Sequence, residues 1–252
     1  MGQERTSRVY EQIALTNLTA DGITPAGLEL TERALSHWDF SPSTKIIDVG
    51  CGTGATLARL KRIHELCGIG IDPSAILLDQ GRRKGSDLTF VLGAGENLPF
   101  RDESANGVFA ECSLSATADR DRVLDDIRRV LKVGGRLVLS DVYARNGDAL
   151  DQLSRVPVGC CLRGAVSRAQ LIKELATRNL RIDLWEGHSE RLTEFAVQLI
   201  FSCGSMEQFW ARNGSESADR QDIQRAISAT KPGYFLLIAQ RVADEGKTPI
   251  GG

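Results

Sequence analysis

One stretch constrains the fold of this chain more than any other: Lys45-Ile46-Ile47-Asp48-Val49-Gly50-Cys51-Gly52-Thr53-Gly54. A short apolar run reads as a strand buried on both faces, the pattern of a parallel sheet. Glycines then crowd the turn that follows, where the backbone can bend tightly and approach a ligand with no Cβ in the way. A helix reads over residues 53–64, with Leu57, Leu60 and Ile63 to bury. The grammar repeats as strand 67–71, helix 74–84, strand 88–92, strand 107–112, helix 120–131 and strand 136–142. In the helix over 120–131, Val123, Leu124, Ile127, Val130 and Leu131 share one face. Alternation at this spacing predicts an α/β, doubly wound sheet with helices on both faces.

The flanks are looser. Helices are expected near 7–16 and over 25–38, the second with Pro25 in its first turn. Residues 24–28 read as that plain helix start, with a backbone lid over a ligand as the other reading. Beyond Asp141 we expect a loop through 157–163, a helix over 167–178, a strand over 180–185, helix over 193–210 and a polar loop over 214–220. A long apolar strand over 233–241 is expected to pair within the same sheet, before a flexible tail from 244.

The chain has 252 residues, 42% hydrophobic, with a formal net charge of -2. That balance gives no electrostatic reason to expect a nucleic acid or an anionic membrane as partner. No apolar run approaches the roughly 20 residues of a membrane span, and Met1-Gly2-Gln3-Glu4-Arg5 is polar. The cytoplasm is therefore the expected compartment, with reduced thiols. Cysteines stand at 51, 67, 112, 160, 161 and 203. None forms a C-x-x-C pair, so no metal site or redox dithiol is expected.

Asp72 ends the second strand, where a carboxylate can accept hydrogen bonds from both hydroxyls of an adenosine ribose. Gly50, Gly52 and Ala55 also satisfy the G-x-G-x-x-G/A pattern of dinucleotide binders, with Asp72 at their spacing. Three features favour a sulfonium nucleoside instead. Asp48 puts negative charge beside the loop, unhelpful to a pyrophosphate but suited to an ammonium group. Gly54 is expected to keep the loop open for a methionine moiety. The downstream segments show no second nucleotide-binding half. A tight turn with no ligand is the bland reading, and Asp72 stands where a ligand would require it.

Residues 44–142 resemble a class I S-adenosylmethionine-dependent methyltransferase of the small-molecule kind. The segment Asp48-Val49-Gly50-Cys51-Gly52-Thr53-Gly54 is similar to that family's first motif, and Gly70-Ile71-Asp72-Pro73-Ser74 to its second. Gly95-Glu96-Asn97-Leu98-Pro99-Phe100 resembles the third, and Arg129-Val130-Leu131-Lys132-Val133-Gly134-Gly135 the late helix and turn. The resemblance implies a Rossmann-like sheet of seven strands, mostly parallel with an antiparallel last strand. It implies a cofactor held over Gly50, Cys51, Gly52 and Gly54, ribose on Asp72 beside Pro73, and adenine near Ala94, Gly95 and Glu96. Where the family has an acid for the adenine amino group, this chain has Ala94, a departure worth about 0.5–1.5 kcal/mol, one hydrogen bond. Asn106 stands where many relatives have Asp, and we read it as structural. The expected organisation is one methyltransferase domain over 1–243: a helical cap over 1–40, a cofactor core over 44–142, acceptor-side insertions over 145–220, then the tail 244–252.

Methyl transfer from a sulfonium is an in-line displacement, so the protein mainly aligns the acceptor and excludes water. The family geometry puts Glu111-Cys112-Ser113-Leu114 beside the transferring methyl. Glu111 is a candidate base and cofactor contact, and its bland reading is a solvated or salt-bridged carboxylate. His37, His64 and His188 read as incidental. Further on, Gly159-Cys160-Cys161-Leu162-Arg163-Gly164-Ala165 resembles part of the arsenite methyltransferases, with Cys160 or Cys161 and Cys203 as candidate thiols for a soft metalloid. A free Cys is otherwise a small buried apolar residue, a reading strongest for Cys67 and Cys112. The expectation is thus an S-adenosylmethionine-dependent methyltransferase acting on a small-molecule acceptor, of unassigned oligomeric state. Its rivals are thiol-assisted arsenite methylation, an NAD(P)-dependent oxidoreductase and a non-catalytic cofactor-binding regulator.

Overall fold

The computed structural model describes residues 11, 24–41, 43–85, 87–155, 161–205, 208 and 220–244. Its strands are β1 (Lys45–Val49), β2 (Cys67–Asp72), β3 (Thr89–Leu92), β4 (Ala105–Glu111), β5 (Leu131–Ala144), β6 (Leu180–Gly187) and β7 (Pro232–Arg241). The helices are α1 (Glu29–Leu35), α2 (Ala55–His64), α3 (Ala75–Lys84), α4 (Arg120–Val130), α5 (Leu150–Arg155), α6 (Arg168–Ala176), α7 (Ser189–Cys203) and α8 (Arg220–Thr230).

The seven strands form one sheet in the order β3-β2-β1-β4-β5-β7-β6. The pairs β1–β2, β1–β4, β2–β3 and β4–β5 are parallel, and β7 runs antiparallel to both β5 and β6. This is the doubly wound architecture expected, closed by an antiparallel last strand rather than by a second βαβ half. Chain order reverses direction across β1 and β4, and at such a switch point the carboxyl ends of the strands leave a crevice.

Side-chain alternation sorts the core into two layers. Ile47, Val49, Val108, Ala110, Leu137, Leu139, Phe235 and Leu237 face α4 and α6, while Ile46, Phe109, Val138, Leu236 and Ile238 face the other way. That two-sided burial is why β1 and β7 read as unbroken apolar runs. In α4 the expected face holds, with Val123, Leu124, Ile127 and Val130 fully buried, each worth about 1.5–3 kcal/mol on transfer from water. Asp119 caps the helix by accepting from the Arg122 amide at 3.1 Å.

Several boundaries differ from the expectation. Residues 25–28 form a turn and α1 begins only at Glu29, where Leu30, Thr31, Ala34 and Leu35 bury one face. α8 falls where no helix was expected: its Ile223, Ala226 and Thr230 are buried at helical spacing among polar neighbours. β5 starts five residues before the expected Arg136, because its first residues continue directly from α4 and Leu131 pairs with Ala105. Asn106 is structural as read, its Oδ1 accepting from the Lys45 amide at 3.1 Å and from Lys132 Nζ at 3.3 Å. The helix expected near 7–16 (apart from Glu11), the loop over 157–160, the polar loop over 214–219 and the tail from 245 lie outside the described residues.

Candidate functional site

Register alone brings three acids together. Asp48 on β1 stands level with Gly70 on β2 and with Phe109 on β4. Two residues further along, those neighbours present Asp72 on one side and Glu111 on the other. The three line a cavity at the carboxyl ends of the strands, with Gly50, Cys51, Gly52, Pro73, Gly95, Glu96, Cys112 and Ser113. Thr24, Gly27 and Leu28 also line it, so the turn before α1 is part of the wall and not the plain helix start expected there. The space at this site is about 1060 Å³, a figure that includes its open mouth.

The glycine loop is shaped by two close approaches. The Gly50 and Cys51 amides donate to the Ile71 carbonyl at 2.8 and 3.2 Å. At Gly50 (φ +74°) a Cβ would stand 2.4 Å from Ser113 Cβ, so only glycine fits. At Gly52 (φ +54°) nothing lies within 4 Å of that position, and the space belongs to the cavity. Gly54 corrects an expectation. It does not line the cavity, and its missing Cβ would meet Phe90 Cζ at 2.6 Å. It serves the packing of the loop onto β3, not the opening for a ligand. Cys51 lines the wall with its sulfur against Gly70, where a Cβ would come within 2.5 Å of Sγ.

Each acid is held differently. Asp72 accepts from the Gly52 amide at 2.9 Å through Oδ2 and from the Ser74 amide at 2.8 Å through Oδ1. Burial pushes its carboxyl up, and the two amides oppose that. A carboxylate oxygen has lone pairs beyond one such bond, which leaves capacity for a vicinal diol. Asp48 is 3% exposed and its Oδ2 has no hydrogen-bond partner. Burial, then the charges of Glu111 and Asp72, push its carboxyl well above the usual range. Glu111 is half-buried and, among the described residues, has no ion pair: Thr31 Oγ1 of α1 donates to its Oε1 at 2.8 Å, and Thr56 Oγ1 of α2 to its Oε2 at 2.6 Å. Burial raises its proton affinity, moderated by those two hydroxyls. No local motif announces either threonine.

At one end of the cavity, Gly95 and Glu96 line the wall and Ala94 does not. Glu96 Oε1 accepts from the Ala118 amide at 3.0 Å, and its Oε2 is buried without a partner. At the opposite end, Cys112 takes a left-handed backbone (φ +52°) and its Sγ lies 3.1 Å from Tyr234 Oη. Tyr234 donates in turn to Ser140 Oγ at 3.2 Å. Burial pushes the Cys112 and Cys51 thiols up, which keeps both protonated and poor as nucleophiles. The packing role expected for Cys112 therefore stands, with a hydrogen bond added.

Of the other candidates, Cys161 does not line this cavity. Cys161 is half-buried against the core layer that holds Leu30 and Tyr234. Cys203 stands in the last turn of α7, and Cys160 lies outside the described residues. Among the described residues no group of three or more His, Cys, Asp or Glu is arranged to hold a metal. His64 pairs with Glu32 at 3.0 Å and His188 with Glu186 at 3.3 Å, and no histidine lines the cavity among the described residues.

The lining discriminates between cofactors. It carries Asp48, Asp72, Glu96 and Glu111, and no Lys, Arg or His among the described residues. Desolvated carboxylates with no cation are costly. A dinucleotide pyrophosphate would add like charge to that wall. S-adenosylmethionine brings a sulfonium and an ammonium, and fits. A Rossmann-like sheet with a glycine loop after β1, an acid at the end of β2 and an acidic pocket without basic side chains among the described residues fits the class I methyltransferase type.

Comparison with known proteins agrees. Residues 47–139 match the family described as "Methyltransferase domain". The phthiotriol/phenolphthiotriol dimycocerosates methyltransferase of Mycobacterium leprae is 30% identical over 188 residues, covering 68% of this chain and 69% of that protein. Methyltransferase GfsG of Streptomyces halstedii is 33% identical over 147 residues, 56% of this chain, and the chain spans about half (52%) of its length. The crystal structure of the [4+2]-cyclase SpnF superposes with a TM-score of 0.75 at 24% identity, covering 97% of both chains, a likeness of fold. The chain belongs to the S-adenosylmethionine-dependent methyltransferase family, and S-adenosylmethionine is its cofactor. The arsenite and nicotinamide readings gain no support from these relatives. Among the described residues no helix is long and apolar enough to cross a membrane.

Proposed function

We propose that the cavity binds S-adenosylmethionine in one orientation and delivers its methyl group to a small-molecule acceptor at the edge formed by Glu111, Cys112 and Ser113. The ribose hydroxyls fall to Asp72, the ammonium group to Asp48, and the adenine ring to the backbone at Gly95 and Glu96, with Pro73 alongside. The observation that carries this reading is the buried, unpartnered Asp48 oxygen in a wall of acids with no basic side chain among the described residues. Residues 24–35 act as a cap, since the turn before α1 lines the cavity and Thr31 anchors that helix on Glu111. The segment over 145–220 shapes the acceptor side. The cytoplasm suits the unpaired thiols Cys51 and Cys112.

S-adenosylmethionine supplies the transferable methyl. The chain's own residues orient the acceptor, exclude water and accept a proton where the acceptor is neutral. Glu111 is the group suited to taking that proton, because its raised proton affinity brings it toward working pH, where a general base is most effective. Calorimetry of S-adenosylmethionine binding to Asp72→Ala tests the reading. Loss of charge-assisted hydrogen bonds, about 1.5–3 kcal/mol, should weaken binding roughly 10- to 100-fold. Unchanged affinity would refute the ribose assignment.

A further inference from the structure

A second cleft opens at the other end of the sheet, where β1 and β4 begin. Gly107 stands four residues before Glu111 on β4, about 13 Å away at roughly 3.3 Å per residue. The space there is about 870 Å³, a figure that includes its open mouth, and Trp38, Asp39, Phe40, Thr44, Asn106 and Lys132 are part of its lining. The start of β4 organises it. At Gly107 a Cβ would come within 2.1 Å of the Trp38 ring, so only glycine admits the indole. Asn106 Oδ1 accepts from the Lys45 amide at 3.1 Å and from Lys132 Nζ at 3.3 Å, which ties β1 and β5 to β4. Phe40 is braced edge-on against His64 of α2, with ring centroids 5.4 Å apart.

Hydrogen bonding at this cleft is one-sided. The Lys132 ammonium has three protons, and among the described residues its one acceptor is Asn106. Both contacts of the Asn106 side chain fall on Oδ1, so its amide protons have no acceptor among the described residues. Thr44 is 7% exposed and takes the Ser41 amide on its Oγ1 at 3.0 Å, while its hydroxyl proton has no acceptor there either. Three lining residues thus hold donors to spare. Asp39 is the acid in the described lining, and it is exposed, whereas Lys132 is half-buried. The two charges are therefore unequal, because a partly desolvated ammonium attracts a partner more strongly than a carboxylate screened by water and salt. Trp38 and Phe40, both half-buried, add ring surface beside those donors.

We propose that this cleft is a second ligand site, for a small aromatic carboxylate whose anion meets Lys132, Asn106 and Thr44 and whose ring lies against Trp38 and Phe40. A carboxylate only accepts, through two oxygens with about four lone-pair sites, and so complements an ammonium, an amide and a hydroxyl. Its ligand is not the methyl acceptor. In-line transfer needs reacting atoms about 3–3.5 Å apart, and the cleft stands at the far end of β4 from Glu111. The acids of the cofactor cavity would repel the same anion, so the two cavities sort ligands by charge.

Calorimetry at neutral pH tests this with 2-naphthoate as the probe and 2-naphthalenemethanol, the same ring without the charge, as its control. The protein should bind 2-naphthoate, and the alcohol roughly tenfold or more weakly, as for the loss of hydrogen bonds to a charged group. Lys132→Met should weaken 2-naphthoate by a similar factor and leave the alcohol unchanged. Lys132→Arg, which keeps the charge, should retain most of the affinity. Thermal melts, and unchanged S-adenosylmethionine binding in both variants, check that the fold survives. Saturating S-adenosylmethionine should leave the 2-naphthoate heat in place. No heat with 2-naphthoate, equal affinity for the two probes, or full affinity in Lys132→Met would overturn the proposal. So would displacement of the probe by S-adenosylmethionine, which would put it in the cofactor cavity instead.

Discussion

The two halves of the sheet answer to different demands. Around β2, β1 and β4 the strand ends carry Asp72, Asp48 and Glu111, with glycines at positive φ between them. Around β5, β7 and β6 the corresponding surface is aromatic. Trp185 stacks on Phe235 at 4.5 Å and 11°, Tyr143 meets both rings edge-on at 5.6 and 5.8 Å, and Arg168 lies over Trp185 at 4.9 Å. The aromatic cluster is self-sufficient, because ring faces and edges satisfy one another. The acidic half is incomplete, because burying acids without counter-charge costs stability that a bound cation would return. One half is shaped by packing and the other by what it must hold.

The largest expected effect breaks that contrast from the ligand side. Gly50→Ala forces a Cβ into Ser113 at a positive φ. S-adenosylmethionine binding should disappear in calorimetry, and a melt should show a lower Tm. Trp185→Ala, in the aromatic half, should cost about 2–4 kcal/mol of stability and leave cofactor affinity intact. Equal loss of affinity in both variants would mean that the halves are not independent.

A smaller effect sharpens it through pH. Asp48, Asp72 and Glu111 all have proton affinities raised by burial. The folded, ligand-free protein therefore keeps protons that the unfolded chain has released, in the window from the ordinary carboxylate range upward. Its stability is greatest at the bottom of that window and falls as pH rises through the raised values. A cationic ligand reverses the sign, since it favours the ionised acids. The Tm gain from S-adenosylmethionine should thus be larger at about pH 8 than at about pH 5, and a gain that shrinks with rising pH would contradict the acid wall.

The smallest effect concerns the thiols. Changing Cys160, Cys161 and Cys203 together to Ser should leave S-adenosylmethionine affinity unchanged in the same calorimetric assay. An arsenite-dependent turnover abolished by the triple change would restore the metalloid reading.

Much of the cofactor half was legible. β1 occurs over the expected residues, and α2, α3 and α4 begin and end within two residues of expectation, because burial on both sheet faces and amphipathic spacing leave local marks. The acids Asp48, Asp72 and Glu111 were visible as residues. Their partners were not: Thr31 and Thr56 lie 80 and 55 positions from Glu111. α8 was hidden because only Ile223, Ala226 and Thr230 are buried among its described residues, set among Arg, Gln and Asp in a weak apolar pattern. The role of Gly54 was hidden for a related reason, since a glycine's neighbour is a matter of packing and the sequence names only the glycine.

By itself, then, the sequence determined the alternation of strands and helices from β1 to β5, the turn at Gly50 and the acids near the ends of β1, β2 and β4, since each rests on a local pattern of polarity or on residues that a turn requires. Tertiary structure alone decided that Glu111 is held by two threonines, that Gly54 supports β3, and that the Ser113 hydroxyl is left unpaired beside Gly50. Those outcomes depend on which strands become neighbours. Hydrogen-bond satisfaction is settled only when distant segments meet.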